Sequence, residues 1–169
     1  MSTQIAFFAS IALSFIAWGI VTARYIWPRL RLRSRSEALQ PLLIVNMFRF
    51  EGLAFLVPGV VSTDLPPAFA HAAAYGDVIA AMLALLALLT SSRDIGVLFA
   101  WGFNLWGAAD LLNAFYQANS AGLLAGQLAA TYFIPTLVVP MLLITHIVAF
   151  RVLLQHPGEA AARQRQFAA

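Results

Sequence analysis

Five long apolar stretches dominate the chain and limit it to folds that a membrane can hold. They run over about residues 4–27, 39–61, 68–90, 95–116 and 123–154. Each has at least the roughly 20 residues that a helix needs to cross the apolar core of a bilayer. Because backbone polar groups in lipid must be satisfied within the segment, we predict helices. The expected fold is an all-α integral membrane protein, a bundle of five transmembrane helices with a polar tail over 156–169.

Composition agrees with this fold and excludes several kinds of site. Hydrophobic residues make up 62% of the 169 residues and charged residues 10%, whereas soluble domains carry about 25% charged residues. The sequence has no cysteine and no lysine, which excludes thiol catalysis, cysteine metal ligands and a Schiff-base cofactor such as retinal. The cofactor stays unknown: His71 and His146 fall at different depths and cannot both ligate one haem iron, which leaves a single axial histidine as the remaining haem arrangement. No histidine–carboxylate spacing typical of a metal site occurs in the spans.

The arginines predict how the bundle is oriented. Nine of the ten fall in segments that five spans place on one side: Arg24, Arg29, Arg31, Arg33, Arg35, Arg93, Arg151, Arg163 and Arg165. Basic loops remain in the cytoplasm, so we expect the N-terminus outside and the C-terminus inside. The expected location is the cell membrane, which in a bacterium is the cytoplasmic membrane. The net charge of +3 therefore reflects topology, and the expected partner of these residues is the lipid bilayer and not a nucleic acid.

The tenth arginine, Arg49, lies inside the second apolar stretch. A charge at this depth costs roughly 2.5–3.5 kcal/mol on insertion scales, so it needs a buried partner. The acidic residues of the spans are Glu51, Asp77 and Asp110. At 100° per residue, Glu51 lies nearly opposite Arg49 on the same helix, and the two should not pair. On that period the arginine shares its face with Asn46, Phe50 and Leu53.

Asp77 lies on a face of the third span that consists of small residues. Its neighbours on that face are Ala73, Ala74, Ala80, Ala81 and Ala84. Small side chains allow another helix to approach closely. We therefore expect Asp77 at a close-packed helix contact, with Arg49 as its partner, because both residues lie near mid-depth.

The last two spans add polar and aromatic candidates. They are Trp101, Asn104, Trp106, Asp110 and Asn113 in span four, and Gln127, Thr131 and Tyr132 in span five. Such residues on membrane helices bond neighbouring helices or line a ligand path. Together with Asn46, Arg49, Glu51 and Asp77, they form the predicted ligand-binding site. Pro135 predicts a kink in span five.

Charge counting gives the clearest functional indication. One arginine and three carboxylates would leave two uncompensated negative charges in a low-dielectric environment. This excess implies protonated carboxyls, a bound cation or access of water. It suggests proton exchange or a cationic ligand, although Asp110 could instead reach headgroup water near its helix end.

We therefore expect a protein that binds or transports a small molecule or cation through a buried Arg/carboxylate pocket. Two alternatives stay open. One is a membrane-embedded enzyme with a buried carboxyl as general acid or base on a lipidic substrate. The other is a non-catalytic accessory subunit whose polar residues only hold helices together. Five helices are few for a transporter, which favours a homo-oligomer or a larger membrane complex.

Overall fold

The computed structural model describes residues 2–155 and contains helices but no β-strand in that range. Five helices are long and apolar enough to span a membrane: α1 (Thr3–Leu30), α2 (Arg35–Leu56), α3 (Pro67–Leu89), α4 (Asp94–Ser120) and α5 (Ile134–Leu154). The all-α architecture with five such helices is confirmed. The predicted tail over 156–169, with Arg163 and Arg165, lies outside the described residues.

Helix α2 begins at Arg35, before the predicted start at about residue 39, because Ser34 caps it. The Ser34 hydroxyl accepts a hydrogen bond from the Glu37 amide, and the Glu37 carboxylate accepts one from the Ser34 amide at 3.0 Å. This reciprocal capping fixes the first turn of the helix. At the other end, α2 stops at Leu56 and not near residue 61. Val57 is extended there, and Gly59 takes a φ of 83° that turns the chain.

The second half of α2 has a different helical period. The helix is α-helical over Arg35–Met47 and 3-10 helical over Phe48–Leu56. Three residues per turn align every third side chain, and Arg49, Gly52 and Phe55 are accordingly all buried. Phe50 and Leu53 are exposed. The prediction that they share the arginine's face was wrong, because it assumed an α-helical period throughout.

The predicted fifth span divides into two pieces. A 3-10 segment covers Ala125–Tyr132 and precedes α5. Within this segment Ala129 has a φ of 45° and a non-helical ψ, so the chain changes direction there. Pro135 then lies in a π-helical turn over Ile134–Val138. The regular α-helical winding is thus interrupted at the proline, and the break in the helix that the structure shows lies ahead of it, at Ala129.

Packing leaves the polar centre between two apolar clusters. Helix α3 packs against α2 and α4, while α5 packs against α1, α2 and α4. The larger cluster, near the end of the bundle that carries the arginine-rich loop, includes Leu43, Phe103 and Val152. The smaller one, near the opposite end, includes Phe69 and Leu128. The close-packed face predicted for α3 is confirmed: Ala73, Ala74, Ala80, Ala81 and Ala84 are all buried.

Hydrogen bonds between distant segments identify the two ends of the bundle. At the arginine end, the Arg35 guanidinium donates to the Gln155 carbonyl, and the Ser36 hydroxyl donates to the Ser91 carbonyl. The opposite end, which we call the N-terminal end, has its own link. There the Ser62 amide donates to the Gln127 carbonyl at 3.1 Å.

Candidate functional site

Arg49 is the centre of a buried polar cluster and bonds to two carboxylates. It is 3% exposed. Its Nε donates to Asp77 Oδ1 at 2.7 Å, and its Nη2 donates to Asp110 Oδ2 at 2.7 Å. The predicted Arg49–Asp77 pair is therefore confirmed. Asp110 does not reach toward a headgroup region but shares the same guanidinium.

The third nitrogen of Arg49 faces His146 on α5. Its Nη1 lies 3.2 Å from the Gly107 carbonyl oxygen and 3.3 Å from His146 Nε2. Because a guanidinium only donates, Nε2 must accept, which places the imidazole proton on Nδ1. That proton is donated to Asn104 Oδ1 at 2.7 Å, and Asn104 Nδ2 donates back to the His146 carbonyl at 3.3 Å. The histidine is thus held in its neutral form, and Arg49, Asp77, Asn104, Asp110 and His146 form what we call the Arg49 cluster.

Three glycines allow the helices to approach this cluster. A Cβ on Gly76 would overlap the Asp110 carboxylate, and a Cβ on Gly52 would overlap the Asp77 carboxylate. A Cβ on Gly107 would lie 2.5 Å from the imidazole and 2.7 Å from the guanidinium. The absence of a side chain at these positions is therefore a requirement of the site.

With both carboxyl groups ionised, the cluster would carry an excess of one negative charge. It contains one guanidinium, two carboxylates and the neutral histidine. Glu51, which the sequence placed among the buried charges, is exposed on α2 and makes no hydrogen bond or ion pair with residues 2–155. Two positions along a 3-10 helix correspond to about 240°, so Glu51 lies on a different side of α2 from Arg49. The count of one positive and three negative charges is thus corrected to one positive and two negative.

A cavity of about 500 Å³ leads to the two carboxylates. It lies between α1, the end of α2, α3, α4, the 3-10 segment and the start of α5. On α3 and α4 its lining runs from the N-terminal end to Asp77 and Asp110, so these carboxylates are its deepest residues there. Asp77 follows Pro67 by ten residues, which is about 15 Å along the helix. Much of the wall is apolar and aromatic, with Phe7, Phe8, Phe55, Phe69 and Phe115 among the lining residues.

Two further predicted residues lie near the cluster. Trp106 Nε1 donates to the Gly76 carbonyl at 3.3 Å, beside Asp77 in the sequence. Asn46 is fully buried one turn before Arg49, and its Nδ2 donates to Thr145 Oγ1 at 3.0 Å. Its Oδ1 has no hydrogen-bond partner among the described residues.

The remaining predicted residues lie apart from the cluster and make other contacts. Trp101 packs against Phe150, and Asn113 is exposed. The Gln127 side chain donates to the Asp64 carbonyl, and the Thr131 hydroxyl donates to the Leu128 carbonyl. The Tyr132 hydroxyl lies 3.3 Å from Ser10 Oγ. Most of these contacts hold neighbouring segments together. None of these five residues forms a hydrogen bond with Arg49, although Tyr132 packs against the cavity residue Phe7.

Sequence reasoning missed His146, the three glycines and the wall that α1 contributes. His146 offered one signal, since it is an ionisable residue inside an apolar span. Gly52, Gly76 and Gly107 lie on three different helices, so no periodicity links them. Within residues 2–155, no group of three histidine, aspartate or glutamate side chains could hold a metal ion.

The family comparison covers the bundle from the first helix to the last. Residues 6–154 match a family described as a domain of unknown function, DUF8737. The chain belongs to the DUF8737 family. No curated protein and no solved structure matches it. The DUF8737 region contains every residue of the Arg49 cluster and all the cavity lining except Gln4.

Proposed function

We propose that this protein is a multi-pass membrane protein that binds a small amphipathic cation. The cationic, hydrogen-bond-donating group of the ligand rests against Asp77 and Asp110, and its apolar part fills the cavity. One observation carries the proposal: two carboxylates share a single guanidinium at the deep end of an apolar cavity. A cationic group restores the missing positive charge, and an apolar body matches the walls.

The size and chemistry of the cavity support this ligand class. Its volume of about 500 Å³ falls within the roughly 300–1,000 Å³ of small-molecule pockets. Phe7, Phe55, Phe69 and Phe115 present aromatic rings along the wall, and such rings attract cations by about 0.5–2 kcal/mol. A carboxylate ligand is disfavoured, because it would add negative charge to a site that already has an excess.

The arginine distribution supports a cytoplasmic membrane location with the N-terminus outside. In that orientation the cavity occupies the outer half of the bilayer, and the Arg49 cluster lies near the midplane. The ligand then comes from the outer side. If the protein also moves its ligand across the membrane, five helices favour a homo-oligomer or a larger complex.

A matched pair of probes tests the proposal. We would titrate decylamine and 1-decanol into the protein in phosphatidylcholine nanodiscs by calorimetry, with empty nanodiscs as the blank. Decylamine should bind about one to one and at least roughly tenfold more tightly than decanol, a difference of about 1.4 kcal/mol. Asp110→Asn should remove this preference, because it removes the uncompensated charge. Asp64→Asn makes the same change on an exposed loop at the same end of the bundle and should retain it.

Two controls keep the test decisive. Circular dichroism establishes that each variant is folded. If Asp110→Asn does not fold, Ala114→Trp, which fills the cavity from α4, should abolish decylamine binding. Equal binding of the amine and the alcohol, or unchanged binding in folded Asp110→Asn or Ala114→Trp, would refute the proposal.

A further inference from the structure

We propose that Asp77 and Asp110 form a proton–cation exchange site. In the empty cavity the pair holds one proton, and the arriving cationic group releases it. This inference rests on the proposed function and adds a second ligand, the proton, to the same site.

The charged and titratable groups of the site come from four helices. Arg49 on α2 contributes one positive charge, Asp77 on α3 and Asp110 on α4 contribute two negative charges, and His146 on α5 is neutral. From α1 the polar residue in the lining is the uncharged Gln4. The 3-10 segment contributes the apolar Leu128 to the lining, and its Tyr132 lies outside the lining. No other charged residue of the described chain lines the cavity.

The proton that neutralises the empty site has to reside on a carboxyl. A guanidinium remains ionised in proteins, so Arg49 cannot take up or release it. His146 cannot supply a compensating charge, because Nε2 faces the guanidinium at 3.3 Å and Nδ1 already donates to Asn104. Two largely buried carboxylates that share one guanidinium do not both ionise readily against that single cation. A single proton on the pair brings the cluster to neutrality.

The proton and the ligand therefore compete for one unit of charge. With the proton bound, the guanidinium, the carboxylate and the carboxyl sum to zero. With the cation bound and the proton gone, the sum is again zero. Binding of both would leave a net positive charge in an apolar site, and binding of neither would leave a net negative one. By linkage, each ligand weakens binding of the other by the same factor.

Calorimetry in buffers of different ionisation enthalpy measures this exchange directly. Decylamine is the probe, because its amine resembles that of lysine, with a pKa of about 10.4, and stays charged between about pH 5 and pH 8. At the acid end of this range, where the empty site holds its proton, we expect release of close to one proton per amine bound. There the affinity for decylamine should rise by about tenfold per pH unit, because one proton must leave, and the slope should flatten once the empty site has lost its proton. Any binding of 1-decanol should release none.

Variants separate this site from the other titratable groups at the N-terminal end of the bundle. Asp110→Asn leaves a neutral cluster with nothing to exchange, so residual amine binding should be independent of pH and release no proton. Asp64→Asn and His71→Gln remove exposed titratable groups outside the cavity lining. Both should retain release of about one proton.

The outcomes distinguish the inference from the function beneath it. Absence of any preference for the amine would overturn the proposed function itself. Tight amine binding with no proton release and a constant affinity would overturn only the exchange. Proton release that persists in Asp110→Asn would also overturn it, as would equal release by the amine and the alcohol. The comparison of proton release by the amine and by the alcohol uses unmodified protein, so the test remains valid even if Asp110→Asn does not fold.

Discussion

Arg49 satisfies four groups at once, and no other side chain can replace it. It bonds Asp77, Asp110, the Gly107 carbonyl and His146 from three nitrogens. A lysine carries its three donors on one nitrogen and lacks this fork geometry. Removing one partner of a buried ion pair leaves the other charge buried and unpaired, which destabilises the fold more than replacing the whole pair does.

We therefore expect Arg49→Gln to lower the free energy of unfolding by about 3–5 kcal/mol. The Arg49→Gln/Asp77→Asn double variant should lose less than the sum of the single variants, with a coupling of about 0.5–3 kcal/mol. Unfolding in mixed micelles, followed by circular dichroism, measures both quantities. Strictly additive losses would mean that the 2.7 Å contact does not couple the two residues.

At the scale of helices, the site depends on close approach at glycine. Gly107 and Gly102 lie on the same helix and differ in their surroundings. A Cβ at Gly107 would meet His146 and Arg49, whereas a Cβ at Gly102 has nothing within 4 Å. Gly107→Ala should destabilise the protein by about 1–3 kcal/mol through overpacking. Gly102→Ala should be neutral or stabilising by up to about 1 kcal/mol, because alanine favours helix.

Thermal unfolding of both glycine variants decides this prediction. The two substitutions make the same chemical change five residues apart, so differences in helix propensity cancel. A Gly107→Ala protein as stable as Gly102→Ala would show that α4 and α5 can separate without cost. The close packing around the Arg49 cluster would then not be required.

The number of residues per turn in α2 limited how much of the site could be predicted from the sequence. The Arg49–Asp77 pair followed from depth and from the alanine face of α3, both of which survive small changes in winding. Phe50 and Leu53 were misplaced because α2 becomes a 3-10 helix at Phe48, and nothing in the local sequence marks that transition. Glu51 was misplaced because it was counted among the buried charges, whereas its side of α2 is exposed. His146 meets Arg49 and Asn104 only through the packing of α5 against α2 and α4, which depends on contacts distant in sequence.

At the scale of the whole molecule, the chain's lack of cysteine allows its orientation to be measured. Single variants Asp64→Cys and Ser92→Cys place a thiol on exposed loops at opposite ends of the bundle. In intact cells, a membrane-impermeant maleimide should label Asp64→Cys and leave Ser92→Cys unlabelled until the cells are opened. The reverse pattern would contradict the orientation that nine arginines predict.

The central claim is that the cavity above Asp77 and Asp110 holds an amphipathic cation, and native mass spectrometry tests it most directly. The protein would be purified from its membrane in mild detergent and its bound mass determined. We expect a stoichiometric amphiphile with a basic nitrogen on the unmodified protein and on Asp64→Asn. It should be absent from folded Asp110→Asn and from folded Ala114→Trp. A ligand-free protein, or an adduct that both cavity variants retain, would contradict the claim and leave the Arg49 cluster as a helix-packing element.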